Sequence, residues 1–283
     1  ELDVEKNNNL RFFLGDVRDK ERMHRALEGV DYVVHAAALK QVLASEYNPI
    51  ETIKTNVLGA QNIIESSIDS GVKKVVSLST DKAVSPVNLY GATKLCAEKL
   101  FVSANNMVGE KNTVFSSVRY GNVIGSRGSV IPLFLEQKKQ KYFTITDTRM
   151  TRFVLTLNEG VELVLWTLLN SIGSEIVIPK IPSVNITDIA NAIDPSIKIK
   201  KIGIRLGEKL HEDLITEAES INTLGLMDKF IMLPSIEKKY VEHYQKFSKK
   251  ITKLDKFSYS SNTNSHFLNI QQIKRILKQE KFI

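Results

Sequence analysis

The sequence predicts an α/β fold: a doubly wound parallel sheet with helices on both faces, followed by a smaller α/β unit. Three observations predict it. Strand-length apolar segments and helical segments alternate four times between residues 11 and 119. The polar groups with chemical potential fall where those strands end, which is where open α/β sheets place their chemistry. After Tyr120 the texture changes to polar, glycine-punctuated loops joining shorter elements.

Arg11–Leu14 is the first expected strand, and it runs into Gly15-Asp16-Val17-Arg18-Asp19, where Asp19 can cap a helix over 20–28. Residues 31–38 form the next strand and end in Ala36, Ala37 and Ala38, small side chains on which a flat ligand can lie. Asn48 as cap and Pro49 in the first turn start a long helix that Gly71 ends near Ser70. Residues 74–79 are a strand delivering Thr80-Asp81-Lys82, and after Pro86 a helix runs from about Leu89 to Met107. Residues 113–119 make the fourth strand. Gly121 to Ser129 is a loop leading to a helix near Val130, and 145–153 is a second polar turn. Leu157–Leu169 has its apolar residues at helical spacing, and 175–178 reads as a strand. Shorter elements follow at 186–193, 198–204 and 271–278.

At 283 residues the chain can bury a sizeable core, and 42% hydrophobic with 25% charged residues is ordinary for a globular protein. Cys96 is the only cysteine, which rules out an intrachain disulfide and fits a reducing cytoplasm. No apolar run reaches the ~20 residues of a membrane span, and ELDVEKNNN is not a secretory signal. The net charge of +7 belongs to the tail: from Glu237 onward there are eleven Lys or Arg against four Asp or Glu. A basic tail can meet nucleic acid or anionic membrane, but Tyr240, Tyr244, Phe247, Phe257 and Tyr259 interleave here. The expectation is a lysine-rich surface over a partly packed segment, with no nucleic-acid partner.

The stretch from Ser77 to Lys94 carries the chemistry. Tyr90 and Lys94 are four apart, so on a helix they share a face, and an ammonium beside a phenol favours the phenolate. Such a tyrosine can take a proton from a sugar hydroxyl. Chance alone also puts a Tyr four residues before a Lys; the position straight after a strand and beside Asp81-Lys82 argues for function. Asp81 and Lys82 are either a surface ion pair, worth little to stability, or an acid and a base. His35 reads as a core histidine. With no His pair at ligand spacing, a metal site is not expected.

The segments FLGDVRD, HAAALK, YNPIETIKTN, STDKAVSPVNLYGATK, RYGNVIGSRGSV, TDTRMTRF, IPKIPS and IRLGEKLHE, with a weaker return at YSSNTNSHFL, carry a resemblance. The chain resembles the extended short-chain dehydrogenase/reductases, and within them the inverting UDP-N-acetylglucosamine 4,6-dehydratases that open pseudaminic acid synthesis. Several relatives that retain configuration have methionine where Tyr90 stands, so NLYGATK points to the inverting branch. Lys40-Gln41-Val42-Leu43 departs from the Lys-His-Val-Pro usual in the family, while leaving Lys40 matched.

The resemblance implies a Rossmann-type NADP-binding unit over 1–122 and 152–180 and a nucleotide-sugar unit over 123–151 and 181–283. It implies that the first strand, the Gly-rich phosphate loop and the second strand precede residue 12. No G-x-x-G-x-x-G occurs here, so the expectation is an N-terminally truncated chain. In the implied roles Tyr90 takes the 4-hydroxyl proton and Lys94 tunes it and holds the nicotinamide ribose. Lys82 is the base at carbon 5, Asp81 the acid for the departing 6-hydroxyl, and Thr80 a hydrogen-bond donor to the 4-oxygen. Asp16 and Val17 lie by the adenine; Ala36, Ala37 and Lys40 along the diphosphate and ribose; Leu78, Ser79 and Val123 on the nicotinamide side. Asp16 read alone is also an ordinary turn residue. On the UDP-sugar side stand Lys40, Asn122, Arg127, Ile131, Thr146, Arg205 and Glu208, with Arg205 on the diphosphate and Glu208 on a ribose hydroxyl. Arg149 and Arg152 are open between ligand contact and fold-stabilising ion pairs. Relatives assemble through the helices after Pro49 and Leu89, so a homo-oligomer is expected. The alternatives are a nucleotide-sugar 4-epimerase, a retaining dehydratase, or a fragment that only binds nucleotide sugar.

Overall fold

The computed structural model describes residues 9–248 and 250–283. Helix α1 (Lys20–Leu27) starts on Asp19, whose carboxylate accepts from the amide of Arg22, as its capping position predicts. Strand β1 (Tyr32–His35) follows. Next come α2 (Val42–Tyr47) and α3 (Pro49–Ile53), then a π-helical turn at Lys54–Leu58, then α4 (Gly59–Asp69). Strand β2 (Lys74–Leu78) ends at a 3-10 turn, Asp81–Ala83, which feeds α5 (Leu89–Ala104) and β3 (Val114–Val118).

The chain then makes an excursion through β4 (Asn122–Val123), α6 (Val130–Gln137), β5 (Tyr142–Ile145) and β6 (Thr151–Leu155). It returns by α7 (Leu157–Asn170) to β7 (Ile176–Pro179), and leaves again through β8 (Ser183–Asn185), α8 (Ile186–Ile193) and β9 (Lys198–Lys201). The remaining elements are β10 (Asp213–Ile215), α9 (Glu217–Ser220), β11 (Thr223–Gly225), β12 (Lys229–Met232), α10 (Lys238–Tyr244), β13 (Thr252–Lys253), β14 (Tyr259–Ser260) and α11 (Ile270–Gln279).

The large sheet has the order β1-β2-β3-β7-β12-β11-β13. Its first four strands are parallel, as the strand–helix alternation predicts, and the last three are added antiparallel. The central strands are buried on both faces, so β2 and β3 show no in–out alternation, and their buried Ser77 and Ser117 hydrogen-bond each other. One face is covered by α4 and α5 around Ile63, Ile64, Phe101 and Phe115. The other is covered by α7 and α10 around Leu163, Val164, Tyr240 and Tyr244. The smaller unit has its own core, in which Phe134, Phe143, Ile189 and Ile273 meet.

Three expectations are corrected. Arg11–Leu14 is not a strand: Phe12, Phe13 and Leu14 are exposed, and among the described residues β1 has only β2 as neighbour. A β-prone run becomes a strand only by finding a ladder, and this one is held instead by Arg22, which stacks on the Phe13 ring and donates to the Leu14 carbonyl. The long helix from Pro49 is divided by the π turn, and the Asn48 side chain donates to the Ala44 carbonyl rather than capping α3. Residues 223–253, expected in the second unit, place β11, β12 and β13 in the large sheet, because Lys229–Met232 pairs along β7. The basic tail, by contrast, is the partly packed segment expected, held through its aromatics: Tyr244 donates to Glu175 Oε1 (2.9 Å) and Tyr240 to the Gly173 carbonyl (2.9 Å).

Candidate active site

The site forms where β2 ends. Thr80 caps the 3-10 turn, accepting from the Lys82 amide, so the backbone turns sharply and Asp81 is driven into the interior while Lys82 stays at the surface of the cleft. Helix α5 is pressed onto this turn: a Cβ on Gly91 would lie 2.2 Å from the Lys82 carbonyl oxygen. Only glycine allows that approach, and it sets Tyr90 beside Thr80, Asp81 and Lys82.

A distant loop closes the site. Asn88 donates to the Gly207 carbonyl (2.7 Å), and Lys209 Nζ donates to the Val84 carbonyl, clipping residues 205–212 over the turn. Gly207 sits at φ +74°, with its would-be Cβ 2.8 Å from Asn88 Cβ, so this contact also requires glycine. The loop delivers Glu212, whose Oε1 lies 3.4 Å from Lys82 Nζ. Lys82 is thus held by Asp81 Oδ1 at 2.9 Å, Glu212 at 3.4 Å and Asn122 Oδ1 at 3.4 Å. Burial works against its charge, but the Asp81 and Glu212 carboxylates outweigh it and leave the ammonium harder to deprotonate than usual.

Tyr90 differs from expectation. Burial raises its phenol above the ordinary value; the nearby cation that works against this is Lys82, helped by a hydrogen bond with Thr80. Lys94 instead donates to the Leu78 carbonyl (2.6 Å), and burial pulls its own ammonium down to about 8. The Tyr-x-x-x-Lys spacing places both on α5, but the group acting on the phenol comes from the neighbouring turn.

Thr80, Asp81, Lys82, Tyr90 and Asn122 are therefore brought together, with Leu78, Ser79 and Lys94 along the adjoining strand end. Lys40 joins Arg127 by donating to its carbonyl (3.0 Å). Arg205 is exposed, and its amide donates to Glu208 Oε2 (3.2 Å). Val123 pairs with Leu155 in the small sheet. Ile131 and Thr146 are buried, the first in the core of the smaller unit and the second against Met150 Sδ. Ala36 and Ala37 are exposed at the end of β1, and Asp16 stands near the surface with its carboxylate engaged by Arg18. Val17 packs on Gly59 and its carbonyl accepts from Asn62 (2.9 Å). Arg152 proves to be a fold-stabilising group, donating to the carbonyls of Thr151, Lys209 and Leu210; Arg149 forms a forked pair with Asp147. His35 is buried and stacks on Phe101.

Two residues were missed. Glu212 has a sequence signal only as the last residue of IRLGEKLHE. Asn56 sits in the π turn, accepts from the Leu39 amide and donates to the Leu39 carbonyl and Thr93 Oγ1, so it ties the loop after β1 to α5. An Asn inside an otherwise helical run is disfavoured there, and that was the available signal; the π turn, of a kind that concentrates at functional sites, shows only in the structure.

The edge formed by β1 and β2 suits the nicotinamide and ribose end of a dinucleotide. Ser79 Oγ is buried without a hydrogen-bond partner among the described residues, Lys94 is close by, and Ala36 and Ala37 leave room over β1. Among the described residues, no group of three or more His, Cys, Asp or Glu could hold a metal ion.

A family model described as polysaccharide biosynthesis protein matches residues 1–234. The chain belongs to that family. It is 50% identical over 279 residues to a protein of Campylobacter jejuni subsp. jejuni named UDP-N-acetylglucosamine 4,6-dehydratase (inverting), covering 96% of this chain and 83% of the relative. It is 42% identical over 277 residues to a UDP-glucose 4-epimerase of Rickettsia canadensis, covering 96% and 80%. Among solved structures, Pen from Bacillus thuringiensis superposes with a TM-score of 0.89 at 38% identity, covering 98% of this chain and 85% of that one. The expected short-chain dehydrogenase/reductase fold, with its Rossmann-type sheet, is the fold observed.

Proposed function

We propose that the protein is a hydro-lyase, a UDP-N-acetylglucosamine 4,6-dehydratase that inverts configuration at carbon 5. The observation that carries this reading is the Asp81–Lys82–Glu212 cluster beside Tyr90: an epimerase needs the tyrosine but has no use for a lysine flanked by two carboxylates at an elimination site. The 50% identity to a protein of that name supports it. A nicotinamide dinucleotide, when bound, would accept the hydride from carbon 4 and return it to carbon 6 after water has left, with a proton added at carbon 5 to complete the 4-keto-6-deoxy product. Ser79, Leu78 and Lys94 would hold its ribose and nicotinamide end, and we take it to be NADP on the sequence resemblance.

The chain's own residues then divide the work. Tyr90, with Thr80, takes the 4-hydroxyl proton; Thr80 holds the 4-oxygen. The resulting ketone acidifies the carbon-5 proton, which Lys82 removes, and Asp81 protonates the departing 6-oxygen as water. On the resemblance, Asn122, Lys40, Arg127, Arg205 and Glu208 would hold the UDP-sugar, Arg205 at the diphosphate; Asn122 beside Lys82 and the Lys40–Arg127 contact support that placement. On the resemblance alone, the product, UDP-2-acetamido-2,6-dideoxy-β-L-arabino-hex-4-ulose, feeds pseudaminic acid synthesis. The exposed Tyr47, Ile50 and Leu58 around α2, α3 and the π turn support a homo-oligomer. The lone exposed Cys96 supports a cytoplasmic setting. Among the described residues no helix is long and apolar enough to cross a membrane.

Incubation with UDP-N-acetylglucosamine and NADP, followed by mass and NMR analysis of the nucleotide sugar, tests the proposal. Loss of one water with a new 6-methyl group is expected. A product of unchanged mass, epimeric at carbon 4, would replace the reading with the epimerase.

A further inference from the structure

Glu212 is the member of the charge cluster to which the proposed reaction gives no task. Its side chain is only 3% exposed; one oxygen faces Lys82 at 3.4 Å, and Arg152 Nε stands 3.9 Å away. Its Oε2 has no hydrogen-bond partner among the described residues. The reaction meanwhile asks something of Lys82 that its surroundings oppose. To take a proton from carbon 5 it needs a free lone pair, yet two carboxylates hold it as an ammonium, and an ammonium is not a base.

We infer that Glu212 is the internal acceptor for the Lys82 proton, so that the neutral amine faces carbon 5. This deepens the dehydratase reading and rests on it. Asp81 is the nearer carboxylate, but its Oδ1 already accepts from both Thr80 Oγ1 and Lys82 Nζ, each at 2.9 Å. Both carboxylates have a buried oxygen without a hydrogen-bond partner among the described residues, Asp81 Oδ2 and Glu212 Oε2, but the other oxygen of Glu212 has only ion-pair contacts, to Lys82 at 3.4 Å and Arg152 at 3.9 Å, so protonation gives up less there than at Asp81. The groups facing it are Lys82 and Asp81 from the turn after β2, Arg152 from β6 and Lys209 from its own loop. Burial raises its proton affinity, Lys82, Arg152 and Lys209 lower it, Asp81 raises it, and the balance is upward.

The step is balanced. An N–H bond of Lys82 breaks and an O–H bond forms on Glu212, turning an ammonium–carboxylate pair into an amine–acid pair without net charge. The amine lone pair takes the carbon-5 proton, and the C–H electrons move toward the 4-ketone to give an enolate. The restored ammonium passes its proton to Asp81, which delivers it to oxygen 6 as the C6–O bond breaks and the enolate electrons form the C5–C6 double bond. Water leaves, Lys82 is again an amine, and the first proton stays on Glu212. Glu212 is a positioning residue, since it touches Lys82 and never the sugar.

The test offers the 4-keto-6-deoxy nucleotide sugar directly, in deuterated water, and follows carbon-5 exchange by NMR as pH is varied. No hydride transfer is needed for this exchange. Wild-type protein is expected to show a flat profile across neutral pH, because the proton moves within the cluster. In Glu212→Gln the amine forms only by losing its proton to solvent, so exchange falls at neutral pH and climbs about tenfold per pH unit. Glu212→Asp restores the flat profile at a lower rate, and it decides the matter if the Gln variant does not fold: a Glu212→Asp profile that climbs would overturn the inference. A second readout needs neither sugar nor cofactor: the pH midpoint for acetic-anhydride labelling of Lys82, read by mass spectrometry, moves down by at least about one unit in Glu212→Gln. An unchanged midpoint, or a Glu212→Gln profile that is lower but still flat, overturns the inference alone. Wild-type protein that labels as expected but exchanges nothing at carbon 5 overturns the dehydratase reading and the inference together.

Discussion

The ends of β2 and β1 lie side by side in one sheet, yet they are built on different physics. At the β2 end, charges are buried and mutually dependent: Asp81 and Glu212 flank Lys82, and behind them the buried Arg119 joins Glu98 (2.5 Å) and Glu219 (2.9 Å). On the β1 side, apolar side chains and ion pairs lie in the open: Phe12, Phe13 and Val34 are exposed, and Asp16, Arg18 and Glu51 pair on the surface. Buried charges lose their partners at high cost, whereas exposed pairs are screened by water. The β2 rim should therefore be intolerant of single changes and the β1 rim forgiving in stability, with effects confined to ligand binding.

The sharpest way to break that contrast is Lys82→Ala, expected to slow water loss by roughly 10²–10⁴-fold, the usual worth of a general base, while UDP-sugar still binds. Near-wild-type turnover would remove the β2 rim from the chemistry. Next in size, Arg119→Met leaves Glu98 buried without its partner and should cost roughly 3–5 kcal/mol, read from the urea midpoint. A loss no larger than that of a surface change would mean that the network is not what holds β3 to α5 and α9.

His35 sharpens the comparison from within β1. Burial, with Lys94 adding to it, lowers its imidazole to about 4. Between that value and the ordinary 6.5, the unfolded chain binds a proton that the folded chain refuses, so stability falls as pH drops through this window, by about 3 kcal/mol at most. Denaturation midpoints across this range should slope for the wild type and flatten in His35→Gln. The smallest expected effect is at Asp16, where Arg18 holds the carboxylate down to about 2 on an exposed surface. Asp16→Asn should leave the urea midpoint unchanged and weaken NADP binding in calorimetry. A large stability loss would mean that the β1 rim is structural after all.

The same contrast explains what could be read from the sequence. Thr80, Asp81, Lys82, Tyr90 and Lys94 lie in one strand–turn–helix segment, so local spacing brings them together and their assembly was legible. Glu212 reaches Lys82 only because Asn88 and Lys209 clip a loop from more than a hundred residues away, and no periodicity reports such a clip. The π turn shifts hydrogen bonding by one residue without altering the apolar pattern, so Pro49 to Ser70 read as one helix. Strands β11 and β12 are three and four residues long, and pairing along β7 decides which sheet they join. Arg11–Leu14 shows the converse, an apolar run with strand composition and no ladder.

The central claim is that the lysine at the end of β2 works on carbon 5, and the stereochemistry at that carbon tests it most directly. Conversion of UDP-N-acetylglucosamine in deuterated water, with proton and carbon NMR of the product, should place solvent deuterium at carbon 5 in inverted configuration. Deuterium absent from carbon 5, or present with configuration retained, would contradict the account.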